Sequence, residues 1–450
     1  MAPSSKDRPG RSDPAGPART GGGPAPTGPL RGFRIVDMTT VLMGPYATQI
    51  AADYGADVIK VEPPEGDVMR VAGAKRHRDM GPLFLHANRN KRSVVLDIRR
   101  PEGRDALLRL CEGADAIVHN IRPAAMARLG LAYADIARVN PRIVHVGLVG
   151  YGRDGPYAGR PAYDDLIQAA SGMASMFELA GDEAPRYVPS VIADRISGLN
   201  AVHAMLAALL HRERTGEGQD VEVPMFESVA QIVLGDHLGG LSFDPPAGPP
   251  GYSRLISPNR RPYRTRDGFV SVLIYNDRQW RSFFEAIGRL DIWEHDPRFA
   301  DQATRALHFD EAYAMLAEAL TGRTTAEWLA MFEAHDLPAM PVTRIEELEH
   351  DPHLAANCFV QRAEHPTEGT IKQIRPAQAF SRTPPGISRH APNLGEHTRE
   401  VLAEAGLASV EIDALVAGGT AAQFGESRAA SPAAGSAVAE PDVTTQEKGG

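Results

Sequence analysis

Cysteine is nearly absent: 450 residues hold two, Cys111 and Cys358, and neither belongs to a CxxC pair. That excludes a zinc ribbon and a disulfide framework. Two isolated thiols suit a reducing cytoplasm, and each is expected as a small buried core residue. Also missing is any run of about 18 apolar residues, so no membrane span is expected. The first residues lack the apolar stretch of a signal peptide. A cationic excess is missing too. The formal net charge is −9, against the basic stripe that nucleic-acid binding calls for. A few local arginines would still suffice to hold an anionic ligand. Of the common catalytic signatures, GxxxxGK[ST], HExxH and GxSxG are all absent. Gly147, Gly150 and Gly152 form GxxGxG, which departs from dinucleotide spacing and reads as a turn. His350 and His353 stand together without a further ligand cluster, so no metal site is expected and a solvated polar turn is the better reading.

What is present is a folded α/β chain between two poor tails. Hydrophobic residues make up 43%, enough for a sizeable core, and the length suits about two to three domains. Residues 1–27 are rich in Pro, Gly, Ser and Arg, and residues 419–450 in Ala, Ser and Glu. Both are too poor in large apolar groups to offset ordering entropy and are expected to be disordered. Arg34 to Met38 reads as a strand, Tyr46 to Tyr54 as a helix ending at Gly55, and Ala56 to Glu62 as the next strand. This is a βαβ unit, which implies parallel pairing. The pattern continues with strands Ser93 to Asp97, Ala114 to His119 and Arg142 to Leu148, and with helices from Pro101 to Glu112 and Pro123 to Leu129. Ligands of such folds sit off the carboxyl ends of the strands. Leu199 to Arg214 reads as a helix apolar on nearly all faces, hence buried, with a strand at Val221 to Phe226 after it. A Gly/Pro-rich stretch from Gly235 to Pro262 precedes a helix-rich section. The fold class is therefore α/β, a Rossmann-like large domain with a smaller α+β domain. The expected boundaries are 28–225 for the first part of the large domain, 226–345 for linker and small domain, and 346–418 for a return to the large domain. The segment from Met340 to Thr343 is expected to rejoin the large domain too.

Two acidic positions invite chemistry. Asp194, in VIADRISG, stands just before the long helix. A carboxylate there meets unsatisfied N–H groups and the positive end of the helix dipole, which keeps it ionised. An ionised, partly desolvated carboxylate is a competent nucleophile. Position alone equally allows a helix cap by Asp194 or Ser197. Asp164 and Asp165 also precede a helix and read as caps. Arg89, Lys91, Arg92, Arg99, Arg122 and Arg128 fall at strand exits and helix starts; they are either a solvated basic face or, if they converge, a phosphate site.

Taken in order, the motifs resemble one family. They are LRGFRIVDMT, GPYATQIAADYGADVIKVEPPEGD, NRNKRSVVLDIRRPEGRDALLRL, VHNIRPAAMARLGL, NPRIVHVGLVGYGRDGPY, PAYDDLIQAASG, IADRISGLNAVHAMLAALLHRERTGEGQ, LPAMPVTRIEELEHDPHL and LGEHTREVL. Over residues 30 to 405 the chain resembles the class III coenzyme A transferases (the CaiB/BaiF type), which include formyl-coenzyme A transferase. The resemblance implies that Asp194 attacks an acyl-coenzyme A donor to give an acyl-aspartyl anhydride and then an aspartyl-coenzyme A thioester, with a carboxylic acid as acceptor. It implies no bound cofactor or metal, coenzyme A and acyl-coenzyme A being substrates. It also places Leu96, Asp97, Arg99, Asn120, Ile121, Arg122, Arg128, Tyr163 and Asp164 around the coenzyme A, and implies an interlocked homodimer. Two departures stand out: Pro63 and Pro64 replace a basic residue of some relatives, and SPNRRP at 257–262 lacks the glycine run of formyl-coenzyme A transferase.

Two other readings compete. The 2-methylacyl-coenzyme A racemases of the same family carry His where this chain has Tyr163. A phenol with pKa near 10 is a poor acid/base group near neutrality. A non-catalytic coenzyme A binder would keep the arginines but need no Asp194. Arg260, Arg261 and Arg264 are candidates to pair with a second carboxylate, favouring a dicarboxylic acid such as succinate.

Overall fold

The computed structural model describes residues 27–77 and 79–426. The large domain opens with β1 (Arg34–Met38), α1 (Met43–Asp53), β2 (Asp57–Glu62), α2 (Pro82–Ala87), β3 (Lys91–Leu96), α3 (Pro101–Glu112), β4 (Ala116–His119), α4 (Pro123–Leu129), α5 (Tyr133–Val139) and β5 (Val144–Val149). It continues with α6 (Asp164–Ala170), α7 (Met176–Leu179), α8 (Ile192–Thr215), β6 (Gln219–Pro224) and α9 (Met225–His237). The strands lie in the order β3-β2-β1-β4-β5-β6, all parallel. The central β4 and β5 read as nearly continuous apolar runs, whereas β2, β3 and β6 also carry charged residues, among them Lys60, Glu62, Lys91 and Glu222. One face packs on α1, α6, α8 and α9 through Ile35, Val58, Val146, Ala201, Met205 and Val229; the other packs on α3, α4 and α5 through Val36, Ile59, Leu107, Met126 and Ile136.

The strand order reverses between β1 and β4, so the loops leaving these two strands diverge and open a crevice at the carboxyl edge. Three buried ion pairs brace that edge: Lys91 with Asp37 at 2.9 Å, Lys60 with Asp67 at 3.0 Å and Arg70 with Glu62 at 2.7 Å. Burial alone would raise the Asp37 carboxyl, but Lys91 and Lys60 outweigh it and hold it low. Burial pushes Lys91 down to about 8, against the pull of Asp37.

Residues beyond α9 build a second body. Tyr263–Arg264, Phe269–Val272 and Ala339–Pro341 form a three-stranded antiparallel sheet. Trp280, Phe283, Phe284, Phe299, Trp328 and Phe332 fill its core. The expectation that Met340 rejoins the large domain is therefore corrected: its strand pairs at Ser271. An antiparallel hairpin follows, Val360–His365 with Gly369–Ile374. The chain then returns to the large sheet, where Asn90 Oδ1 accepts from the Ser388 and Arg389 amides and Val401 and Leu402 pack into the core.

Three further expectations change. Ala421–Ala422 pairs antiparallel with β3, so order extends past 419; the remaining tail residues, 1–26 and 427–450, lie outside the described residues. Cys111 is buried as expected, but Cys358 is exposed. The long helix is buried on one face only, with Leu199 and Leu210 about half exposed in this chain.

Candidate functional site

A cleft of about 770 Å³ fills the crevice at the strand reversal. Its walls are the exits of β1 (Thr40, Val41), β4 (Asn120, Arg122) and β5 (Gly150, Tyr151), with Asp164 and Asp194 also in the lining.

The β1 exit is fixed by polar contacts on both sides. Asn120 Oδ1 accepts from the Thr40 amide at 3.1 Å, and its Nδ2 donates to the Thr40 carbonyl at 2.9 Å. This clamps the two diverging loops together. Lys60 Nζ donates to the Thr39 carbonyl, and Asp67 accepts from the Val41 amide. Val41 is thereby held at φ 69°, a conformation costly for a β-branched residue and sustained only where the surroundings over-determine it. The bend aims the start of α1 at the first turn of α8. The two helices cross tightly at Gly198, where a Cβ would stand 2.7 Å from the Met43 carbonyl oxygen. Across the cleft, the loop after β5 folds back at Gly150, where a Cβ would stand 2.2 Å from that of Ala162. Gly150 thus permits this close approach and lines the cleft as well.

Asp194 lies within the first turn of α8, not ahead of it, because the helix begins at Ile192. It makes no side-chain cap, and Ser197 Oγ donates to the Ala193 carbonyl, so neither residue caps the helix. The expectation that the dipole dominates is corrected as well. Burial first, and the neighbouring Asp164 second, raise the Asp194 carboxyl to about 6, against Arg195 and a hydrogen bond from the Met43 backbone. Arg195 stacks on Tyr46 of α1, 4.3 Å from the ring centre.

Asp164 is buried and fully engaged. One carboxylate oxygen accepts from the Asp194 amide at 2.9 Å, the other from Gln168 Nε2 at 2.6 Å. Asp165 is exposed. Three arginines line the cleft without a carboxylate partner among the described residues: Arg122 just ahead of α4, Arg128 in its last turn, and Arg160 on the facing loop, stacked on Tyr157 at 4.4 Å. Arg153, also in the wall, is neutralised by Glu222 and Asp220.

Of the residues assigned to coenzyme A from sequence, the structure brings Asn120, Arg122, Arg128, Tyr163 and Asp164 to the cleft with Asp194. It does not bring Leu96, Asp97, Arg99 or Ile121. Leu96 is core, paired with Ala421. Asp97 is held by Arg99 at 2.7 Å, off the end of β3. Ile121 packs half-buried into the core beneath. Nor do Arg260, Arg261 and Arg264 line it; all three are exposed on the second body. Sequence reasoning missed Thr40, Val41, Tyr151 and Arg160. Only the strand-exit position of the first three signalled them.

A doubly wound sheet with a cationic cleft at its switch point, and a perturbed carboxylate on the cleft wall, defines an α/β protein built for an extended anionic ligand and acid chemistry beside it. Comparison with known proteins narrows the class. The family model "CoA-transferase family III" matches residues 30–398. The chain is 36% identical over 396 residues to an acyl-CoA transferase of Fusarium pseudograminearum, covering 84% of this chain and 85% of that one. It is 33% identical over 386 residues to the succinate–glutarate CoA-transferase of Agrobacterium fabrum, covering 84% and 95%. The crystal structure of Rv3272 from Mycobacterium tuberculosis superposes with a TM-score of 0.72 at 30% identity, covering 83% of this chain and 99% of that one. The chain belongs to CoA-transferase family III.

Proposed function

We propose that the enzyme moves coenzyme A from an acyl-coenzyme A donor to a carboxylic acid, with Asp194 as the covalent carrier. The carrying observation is the state of Asp194: a carboxyl near 6 that makes no cap and stands in a cationic cleft. At neutral pH it is mainly ionised, yet more basic than an ordinary carboxylate and so a better nucleophile. Its attack on the donor carbonyl breaks the C–S bond and yields an acyl-aspartyl anhydride and coenzyme A thiolate. The thiolate attacks the aspartyl carbonyl, expelling the donor acid and leaving an aspartyl-coenzyme A thioester. The acceptor carboxylate attacks that thioester to give a new anhydride. The returning thiolate then takes the acyl group and frees Asp194. No net proton is moved.

Arg122, just ahead of α4, and Arg128, in its last turn, would meet coenzyme A phosphates. Arg160, on the facing loop, would take the distal carboxylate of a dicarboxylic acid, replacing the earlier candidates on the second body. The half-exposed Leu199, Leu210, Ile232 and Leu234 of α8 and α9 would be covered by a second copy, giving a cytoplasmic homodimer, which light scattering would weigh. The functional test is transfer from succinyl-coenzyme A to glutarate by wild type and Asp194→Asn. Transfer lost with coenzyme A binding kept supports the carrier role; transfer retained by the variant refutes it.

A further inference from the structure

Asp164 lies in the cleft wall, yet each of its oxygens already has a protein partner, the Asp194 amide and Gln168 Nε2. Its neighbour Gln168 is fully buried and satisfied at both ends. Nε2 donates to Asp164, and Oε1 accepts from the Val188 amide at 2.9 Å, just ahead of α8. α8 has no side-chain cap of its own, although its first amides need acceptors. Asp164 supplies one from 30 residues away, at the amide of Asp194 itself.

We propose that Asp164, locked by Gln168, is a positioning residue: it takes the α8 amide that Asp194 would otherwise cap, so that the Asp194 side chain is released from its own helix and turns towards the start of α1 and the cleft. This rests on the carrier role of Asp194. An aspartate in a first helical turn ordinarily folds back onto local amides, which lowers its basicity and occupies its lone pairs. Here the partner takes the amide. Its charge, with burial, also raises the Asp194 carboxyl. The charged and polar groups facing Asp194 are Asp164 from α6, Arg195 from α8 and the Met43 amide from α1, with Arg195 drawn onto Tyr46.

The test uses the full chain with succinyl-coenzyme A, reading the single-turnover rate of Asp194 acylation from pH 5 to 8 and coenzyme A affinity by calorimetry. Asp164→Ala, which loses both cap and charge, is expected to slow saturated acylation about 100-fold, the scale of a small misplacement. Its coenzyme A affinity should stay within about twofold, because both oxygens of Asp164 are already engaged by the Asp194 amide and Gln168. Asp164→Asn keeps an acceptor for the amide and tests the idea even if the alanine variant fails to fold. It is expected to move the acidic limb of the rate profile down by about one pH unit. Gln168→Leu should slow acylation without that shift. Weakened coenzyme A binding with an unchanged saturated rate would make Asp164 a ligand contact and overturn the proposal. Unchanged rates and profiles in all three variants would overturn it as well. A wild type that forms no Asp194 adduct would overturn the carrier role and this proposal together, a different result from either.

Discussion

Replacing Gly198 with alanine puts a methyl group 2.7 Å from the Met43 carbonyl oxygen and 3.0 Å from Cδ1 of Tyr46. Ordinary van der Waals contact begins at 3.4 Å. The first neighbour is backbone, so relief requires α8 to move away from α1 by about 0.7 Å, the difference between those distances. Overpacking of this kind costs about 1–3 kcal/mol. Alanine returns about 1 kcal/mol of helix propensity, so a net loss of up to about 2 kcal/mol is expected. The same movement carries Asp194, one turn earlier, away from the Met43 amide that supports it. Sub-ångström misplacement of a reacting group lowers rates by about 10- to 100-fold. Thermal unfolding and single-turnover acylation are the paired assays. Lower Tm and slower acylation, with coenzyme A affinity unchanged, are expected. A variant more stable than wild type and equally fast would refute the close helix crossing as the device that places Asp194.

Other expectations follow from the charges. Acylation should rise with pH through about 6 and level off above 7, because the attacking form is the ionised carboxylate; a flat profile from pH 5 to 8 would contradict it. Asp194→Asn should stabilise the protein at pH 8 but hardly at pH 4. The folded-state carboxyl titrates near 6 against 3.8, so wild-type stability falls as pH rises between those values, by about 3 kcal/mol. Denaturant unfolding at both pH values checks the sign. Lys91→Met strands Asp37 in the core and should cost about 3–5 kcal/mol; a loss below about 1 kcal/mol would show that water or a rearranged partner reaches Asp37. Arg160→Met should raise KM for glutarate about tenfold or more, as for a lost charged hydrogen bond, and leave a monocarboxylic acceptor of similar length unaffected. Equal losses for both acids would place Arg160 on coenzyme A.

The parallel sheet was legible because its strands hold short apolar stretches such as Val144–Val149 and are separated by helix signals such as Pro101 and Pro123. The start of α8 was not, because Ile192 to Gly198 lacks a local cap. The acceptor is Asp164, 30 residues away, and no local pattern records it. The same distance hid the origin of the Asp194 perturbation: a helix dipole is visible in sequence, whereas burial and a facing carboxylate are tertiary. Met225 and Phe226, read as the end of a strand, instead open α9, because β6 runs straight into that helix at Pro224. Asn120 was found by family pattern, while its clamp on Thr40 and the strained Val41 beside it required coordinates. Cys358 shows the limit of composition: a lone thiol is usually core, yet this one sits exposed at φ 51° in a turn after a short helix.

The most direct test of the central claim is mass spectrometry of the protein incubated with succinyl-coenzyme A, quenched with and without hydroxylamine. A coenzyme A or hydroxamate adduct is expected on the peptide bearing Asp194 and is absent in Asp194→Asn. Transfer activity with no adduct there, or with an adduct on another residue, would contradict it.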